Sequence, residues 1–352
     1  MADPEVPSGS EVGASKEQNT SQRDPSQPAT AEPAAAVPQD LHEIEDDPDV
    51  DSALGADPES DTTSLASTIL RHREEFGRTY HKFRGGENDY WGPNDEQQND
   101  QLDIGHHMFL LLLKNKLYLA PIDPEQCHYV LDLGTGTGIW AIDFADAHPN
   151  AEVTGVDLSP IQPSWLPPNC HFVIDDITKP WEEPENHFDF IHLRCLYGSV
   201  ADWPALYKQA FEHATPGGWV QSMEIDIQFA SDDNTLGPDH TMLQWSDVFF
   251  EAGETMGKTF KVAHNTARWI EDAGFQDIHS QWYKVPVGRW PKDKSMKELG
   301  IWNFHYCFEG CEGWALYLLT KVLGWSIDEC RVFVAKFRNA LKDNKTHAYY
   351  LV

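Results

Sequence analysis

Residues 130–144 read VLDLGTGTGIWAIDF. An apolar run closes on Asp132, then Gly134, Gly136 and Gly138 follow at alternate positions, and residues 139–144 continue with helical spacing. A glycine-rich turn between a buried strand and a helix lets backbone N–H groups approach a nucleotide-like cofactor. Dinucleotide folds ask for G-x-G-x-x-G, whose third glycine lets the helix pack close to the strand. Here that position is Ile139, and the last glycine comes one residue early. The pattern is D-x-G-x-G-x-G. A carboxylate two residues before the first glycine is a poor neighbour for a pyrophosphate and a good one for an ammonium group.

Three further pieces follow at strand ends. Asp157 closes the apolar run of VTGVDLSP, where an acid accepts hydrogen bonds from both ribose hydroxyls. IDDI carries Asp175, Asp176 and Ile177, a carboxylate for an adenine amino group and an apolar cover for the ring. TPGGW, residues 215–219, closes a helix before the next buried strand. NAD and S-adenosylmethionine (SAM) both use the ribose acid, so Asp157 alone does not choose between them. SAM carries an ammonium, a carboxylate and a sulfonium but no phosphate, and the four pieces in order point to it.

Composition bounds the rest. The first 66 of 352 residues hold no Phe, Trp or Tyr, and 16 acids against 2 Lys/Arg. Such a segment cannot bury enough apolar area to offset the entropy of ordering, so residues 1–66 are expected to be a disordered acidic tail. It carries −14 of the formal −31, which leaves −17 on the remainder. That balance disfavours direct nucleic-acid binding and attraction to an anionic membrane. It is compatible with a basic protein partner, and equally with charge that only keeps the chain soluble. The six cysteines include Cys307 and Cys311 at helical spacing, without the second close pair a zinc site wants, so no metal is expected. FLLLLKNKLYLA is too short and too charged to span a bilayer. With no apolar signal core at the N-terminus, a reducing cytoplasmic or nuclear setting is expected.

Along the chain, SLASTILRHREEFGRTY has the spacing of an amphipathic helix, and a second helix capped by Asn94 or Asp95 runs to about Leu119. Together these suggest a helical cap over 67–120. Five strands then alternate with helices: YVLDLG, AEVTGVDLS, CHFVIDDI, FDFIHLRCL and WVQSMEIDIQF. This argues an α/β, Rossmann-like domain over 121–352 with a parallel sheet and right-handed crossovers. QDIHSQWYKVPVG reads as a further strand, residues 293–342 as a helical insertion, and HAYYLV as a final strand.

These motifs resemble the class I SAM-dependent methyltransferases. More narrowly, the chain resembles the fungal LaeA-type methyltransferases, relatives of trans-aconitate methyltransferase. The narrower likeness rests on YWGPNDEQQNDQLDIGHHMF, IQPSWLPPNCHFVIDDITKPW, FDFIHLRCLYGSVADWPALYKQAFEHATPGGWVQSMEID and HNTARWIEDAGF. It spans roughly residues 80–352. The resemblance implies a seven-stranded sheet, helices on both faces, with HAYYLV inserted antiparallel. It implies cofactor contacts at Asp132, Gly134, Gly136, Gly138, Asp157, Asp176 and Ile177. Tyr90 and Asn94 are candidates for closing over the methionine end, and Arg194 for the sulfonium end. Members of the family include nuclear regulators of secondary metabolism and development, some bound to velvet-domain proteins, and tailoring enzymes acting on natural products.

In-line methyl transfer asks the protein to align a nucleophile and exclude water. A general base is needed when the acceptor is a hydroxyl or a carbon acid. The candidates are His106 and His107 on the second helix, and Glu224 and Asp226 at the end of the fifth strand. The aromatic set Trp290, Trp302, Phe304, Tyr306, Phe308 and Trp314 is open to three readings: an acceptor pocket, a core for the added helices, or a docking surface. The expected function is a SAM-dependent methyltransferase in a regulatory, velvet-type complex; the alternative is a tailoring enzyme with a small-molecule acceptor. No strong basic import run is visible, so nuclear entry would depend on a partner.

Overall fold

The computed structural model describes residues 72–81 and 90–352, and the tail expected over 1–66 lies outside them. The described part of the first expected helix is instead a hairpin, β1 (Arg73–Glu75) and β2 (Arg78–Tyr80), paired antiparallel. Phe76 and Gly77 sit at φ 56° and 77°. Two consecutive left-handed residues make a tight turn whose twist matches a hairpin, and they cannot be part of a helix. The next helix, α1 (Glu96–Leu112), is capped by Asp95, which accepts from the Gln98 amide at 3.0 Å. It ends short of Leu119 because Lys114 and Asn115 turn to φ 56° and 62°.

The central sheet is parallel. Its strands are β3 (Tyr129–Leu133), β4 (Glu152–Asp157), β5 (Cys170–Ile174), β6 (Phe188–Arg194) and β7 (Ala214–Met223), in the order β5-β4-β3-β6-β7. Helices α2 (Ile139–Ala147) and α3 (Trp203–His213) supply crossovers. Alternation along the strands feeds two cores. Val130, Val153 and Phe190 pack with Trp140 and Phe144 of α2, whereas Leu131, Leu133, Ile191 and Leu193 face the larger cluster on the other side. Trp140 and Phe144 are fully buried, each contributing on the order of 2–3 kcal/mol by removal from water.

Beyond the sheet come β8 (Asp226–Ala230), α4 (Thr241–Met256), α5 (Thr266–Ala273), β9 (Lys284–Pro286) and α6 (Lys294–Tyr317). A π-helical turn, Leu318–Val322, leads to α7 (Ile327–Leu341) and β10 (Tyr349–Leu351). The helical insertion is therefore present, broken by that turn and by Gly324 at φ 74°. Of the strand expected over QDIHSQWYKVPVG, β9 alone forms.

One continuous seven-stranded sheet is not what forms. Among the described residues there are five parallel strands and a separate antiparallel sheet ordered β8-β10-β9. The final strand does insert antiparallel, between β8 and β9. The break falls inside the expected fifth strand, between β7 and β8, at Glu224 and Ile225. There the Glu224 carboxylate turns inward and accepts the amides of Leu196 and Tyr197 at 3.0 and 3.1 Å. No described helix is long and apolar enough to cross a membrane.

Candidate cofactor and acceptor site

The glycine turn joins β3 to α2 at the carboxyl end of the sheet, where open α/β sheets place their ligands. All three glycines are left-handed, at φ 68°, 60° and 80°. Their surroundings differ. A Cβ on Gly134 would lie 2.4 Å from Leu196 Cδ2, and one on Gly138 would lie 2.3 Å from Phe172 Cζ. At Gly136 the nearest atom would be Leu102 Cδ1 at 3.5 Å, an ordinary contact, so a side chain here is not crowded. Gly134 and Gly138 close the turn against the protein, and Gly136 leaves a cradle. The Gln162 amide holds the turn from outside, donating to the Gly136 carbonyl at 2.7 Å.

Asp157 ends β4 beside that cradle. Its carboxylate accepts from the Gly136 and Ser159 amides at 2.8 and 2.9 Å. Burial raises its pKa to about 6 against the lowering by those hydrogen bonds. Tyr90 feels the Asp157 charge, and burial pushes its phenol well above the usual range. A Cβ on Gly92 would lie 2.7 Å from the Tyr90 ring, so glycine at 92 is what lets that ring fold back. Tyr90, Gly136 and Asp157 are thus brought together. A ribose-bearing cofactor fits these groups: a glycine turn uncrowded at Gly136 and a buried acid beside it.

Other predicted residues are placed differently. Asp132 is buried, its carboxylate taken up by the Thr135 hydroxyl at 2.6 Å and His192 Nδ1 at 2.7 Å. His192 stacks on Trp140 with ring centroids 3.7 Å apart, and burial lowers its pKa despite the carboxylate. Asp132 thus holds the turn from beneath. The sequence reading missed His192, although parallel pairing sets it beside Asp132 and alternation puts it on the Phe190 face. Asn94 accepts from the Thr79 hydroxyl at 2.9 Å, which ties it to the hairpin. Asp176 accepts from the amide and hydroxyl of Thr178 at 3.0 and 2.6 Å, and the Ile177 carbonyl receives the Trp181 indole N–H at 2.9 Å.

Three of the four candidate bases are engaged by hydrogen bonds or ion pairs. Arg194 Nη2 lies 3.2 Å from His106 Nδ1, and His106 Nε2 lies 2.9 Å from Asp143. Arginine only donates, so Nδ1 accepts and the Nε2–H donates to Asp143. Both ring nitrogens are used, and His106 orients Arg194. Burial lowers the Arg194 pKa, and its guanidinium lies over the Phe109 ring at 4.9 Å. His107 packs edge-on against Trp302 at 4.4 Å. Glu224, held by two amides, has its pKa raised by burial to about 8. Asp226 pairs with His264 at 3.0 Å.

Beside the cradle is a small apolar cavity of about 40 Å3. Trp91 and Tyr197 line it on the cofactor side; Trp245, Phe249 and Phe260 stand opposite, with Tyr306, Trp314 and Tyr350 completing the wall. Of the six aromatics singled out at 290–314, only Tyr306 and Trp314 reach it. Trp302 packs on His107, Phe304 stacks on Phe308, and Trp290 donates to the Ala348 carbonyl. Two pieces of chain serve both cavity and cradle. Tyr90 turns to Asp157 while Trp91 turns to the cavity, its indole donating to the Gly198 carbonyl at 3.0 Å. In the loop after β6, Leu196 abuts Gly134 and Tyr197 lines the cavity. Cys195 starts that loop at φ 57°, a strained conformation for a side chain with a Cβ. Among the described residues no cluster of His, Cys, Asp and Glu is placed to hold a metal ion.

A methyltransferase-domain model matches residues 104–280. Methyltransferase pytC of Aspergillus terreus is 40% identical over 90% of this chain and 95% of its own length. Secondary metabolism regulator LAE1 of Cochliobolus heterostrophus is 40% identical, covering 78% and 91%. Protein-methionine methyltransferase laeA of Emericella nidulans is 37% identical, covering 79% and 74%.

Proposed function

The chain belongs to the LaeA-type SAM-dependent methyltransferases, and from that premise we propose that it methylates a protein as part of a complex regulating secondary metabolism and development. The cofactor supplies an electrophilic methyl, so the protein's work is to bind, orient and exclude water. Gly136 leaves room for it, and Asp157 offers its remaining lone pairs to the ribose hydroxyls. Tyr90 closes over that edge. Arg194, steered by His106 and Asp143, presents donors near the end of β6, suited to a carboxylate.

The observation that carries the acceptor reading is the engagement of three of the four candidate bases by other groups, the fourth, His107, packing edge-on against Trp302. His106, Glu224 and Asp226 are all held by other groups. A nucleophile with no proton to lose, such as a thioether sulfur, needs none. The Emericella nidulans relative is named a protein-methionine methyltransferase, which agrees with that chemistry. A velvet-domain or other regulatory partner and a site of action in nucleus, cytoplasm or both belong to the same proposal. The second reading, a tailoring enzyme with a small-molecule acceptor, draws on the apolar, aromatic-lined cavity. Transfer of isotope-labelled methyl from SAM, to the purified protein alone, with a partner complex, and with a metabolite extract, tests them. Label on a protein supports the regulatory reading. Label confined to a small molecule overturns it.

A further inference from the structure

Trp165 is the most exposed large apolar side chain among the described residues, at 89%. It stands in the connection from β4 to β5, residues 158–169, and that connection is braced at both ends. The Gln162 amide donates to the Gly136 and Ser159 carbonyls at 2.7 and 2.9 Å. The Asn169 amide donates to the carbonyls of Ala145, His148 and Ala151 at 3.1, 3.2 and 2.8 Å. Prolines at 163, 167 and 168 stiffen the chain between. An indole held out in water adds nothing to the core, and on a pinned loop it loses little entropy when a partner covers it.

The strand that follows is open as well. β5 is an edge of the central sheet, and among the described residues only β4 pairs with it. The Val153 amide donates to the Asn169 carbonyl at 2.8 Å, and the Asp175 amide to the Asp157 carbonyl at 3.0 Å. Odd-numbered residues of β5 therefore turn their backbone groups to β4, and even-numbered ones turn theirs outward. Cys170 gives its amide to the Pro167 carbonyl at 3.1 Å. The amides and carbonyls of Phe172 and Ile174 are left facing out, next to the exposed Val173, and no helix forms between β5 and β6 to cover them. Residues 158–187 hold five acids against one Lys.

We propose that Trp165 and the outer edge of β5 form a docking surface for an extended, Lys- or Arg-bearing segment of a partner protein. Pairing along the edge sets the direction and register of such a segment. Trp is the best aromatic face for a cation, and the neighbouring acids select the same sign. A second copy of this chain would bring five acids against five. Residues 1–66, with 16 acids against 2 Lys/Arg, carry the same wrong sign, as do nucleic acids and anionic lipids. The surface holds no part of the proposed methyl-transfer chemistry, and it stands whichever molecule accepts the methyl.

The probe is a short fluorescein-labelled peptide of alternating Lys and Val. Its counterparts carry Glu in place of Lys, or a methyl on every backbone nitrogen, which blocks strand pairing and keeps the charge. Fluorescence anisotropy follows binding to the full chain at about 0.15 M salt, where exposed charges more than about 8 Å apart are screened. The expected result is saturable binding of the Lys-Val peptide and none of the Glu-Val peptide. The methylated peptide should bind at least about tenfold more weakly, as should the Lys-Val peptide to Trp165→Ala. Because that side chain is exposed, Trp165→Ala should keep the parent melting temperature and S-adenosylhomocysteine affinity. The proposal is overturned if the Lys-Val peptide does not bind. Equal binding of the methylated peptide, or parent affinity in Trp165→Ala, would mean that charge alone holds the probe and would overturn it too. A dimer of this chain that Trp165→Ala dissolves would give the surface to a second copy, and loss of S-adenosylhomocysteine binding in that variant would give Trp165 to the cofactor site; either result refutes the docking role. None of these readouts uses methyl transfer, so their failure leaves the proposed function untouched.

Discussion

Adding one methyl group at two neighbouring glycines should separate cofactor binding from folding. In Gly136→Ala the new Cβ meets only Leu102 Cδ1, at 3.5 Å, an ordinary contact. The folded state then bears chiefly the left-handed backbone penalty, about 1–2 kcal/mol. For a domain of this size that lowers Tm by roughly 2–8 °C. The methyl, however, projects into the space that the cofactor needs against the glycine turn. Affinity for S-adenosylhomocysteine should fall by at least about 100-fold, equivalent to about 2.7 kcal/mol. Gly138→Ala carries the same backbone penalty at φ 80° and places its Cβ 2.3 Å from Phe172 Cζ. Overpacking adds about 1–3 kcal/mol, so this variant should be the less stable of the two by a clear margin. Calorimetric titration and thermal melts on the same preparations decide it. If Gly136→Ala bound the cofactor with parent affinity, the cofactor would not lie against the turn at Gly136.

Three further outcomes follow from the same geometry. Asp157 and Glu224 have folded pKa values raised by burial to about 6 and about 8. Raised carboxyl values stabilise the cofactor-free fold fully at about pH 4 and below, and that contribution is lost as pH rises through 6 and then 8. Denaturant titrations at pH 5 to 9 should show Glu224→Gln flattening the upper part of this loss, whereas an unchanged slope would remove Glu224 from the account. His106→Ala should weaken S-adenosylhomocysteine binding several-fold by releasing Arg194; a collapse in turnover with unchanged binding would restore His106 as a base. Arg78→Ala strips Asp95 of its guanidinium, whose Nη2 lies 2.7 Å from the carboxylate, and a hydrogen-bond loss of this kind in a half-buried pair costs about 1–3 kcal/mol. A melting temperature within a degree of the parent would refute that tie between hairpin and α1.

The parts of this fold legible in the sequence are those governed by neighbours along the chain. Alternating apolar runs gave the five parallel strands, and the glycine spacing gave the turn after β3, because each is fixed by local periodicity and backbone freedom. The hairpin at 73–80 was missed because Arg, Glu and Thr fit either an amphipathic helix or a strand. What decides it is a left-handed Phe76, which no propensity announces. Site residues divide in the same way. Gly136 and Asp157 are placed by the turn and strand that carry them. Asp132, Asn94 and Glu224 are titratable or polar groups whose partners, His192, Thr79 and the loop after β6, come from other elements. A sequence offers such a carboxylate as a candidate ligand or base. Only the folded arrangement shows that its lone pairs are already taken.

Glu224 shows why this matters for mechanism. A buried carboxyl group between two strands is costly unless its oxygens are satisfied, and here two amides of the 195–198 loop satisfy them. Turning inward to reach them interrupts the fifth strand, so the parallel sheet stops and the antiparallel one begins at β8. The same two hydrogen bonds hold Leu196 against the glycine turn and Tyr197 at the cavity wall, and they help offset the strain at Cys195. A group that looked like a base at a strand end instead fixes the segment between cofactor and cavity. Weakening it should therefore loosen both sites together, whereas loss of a base would leave both binding events intact and stop only the chemistry.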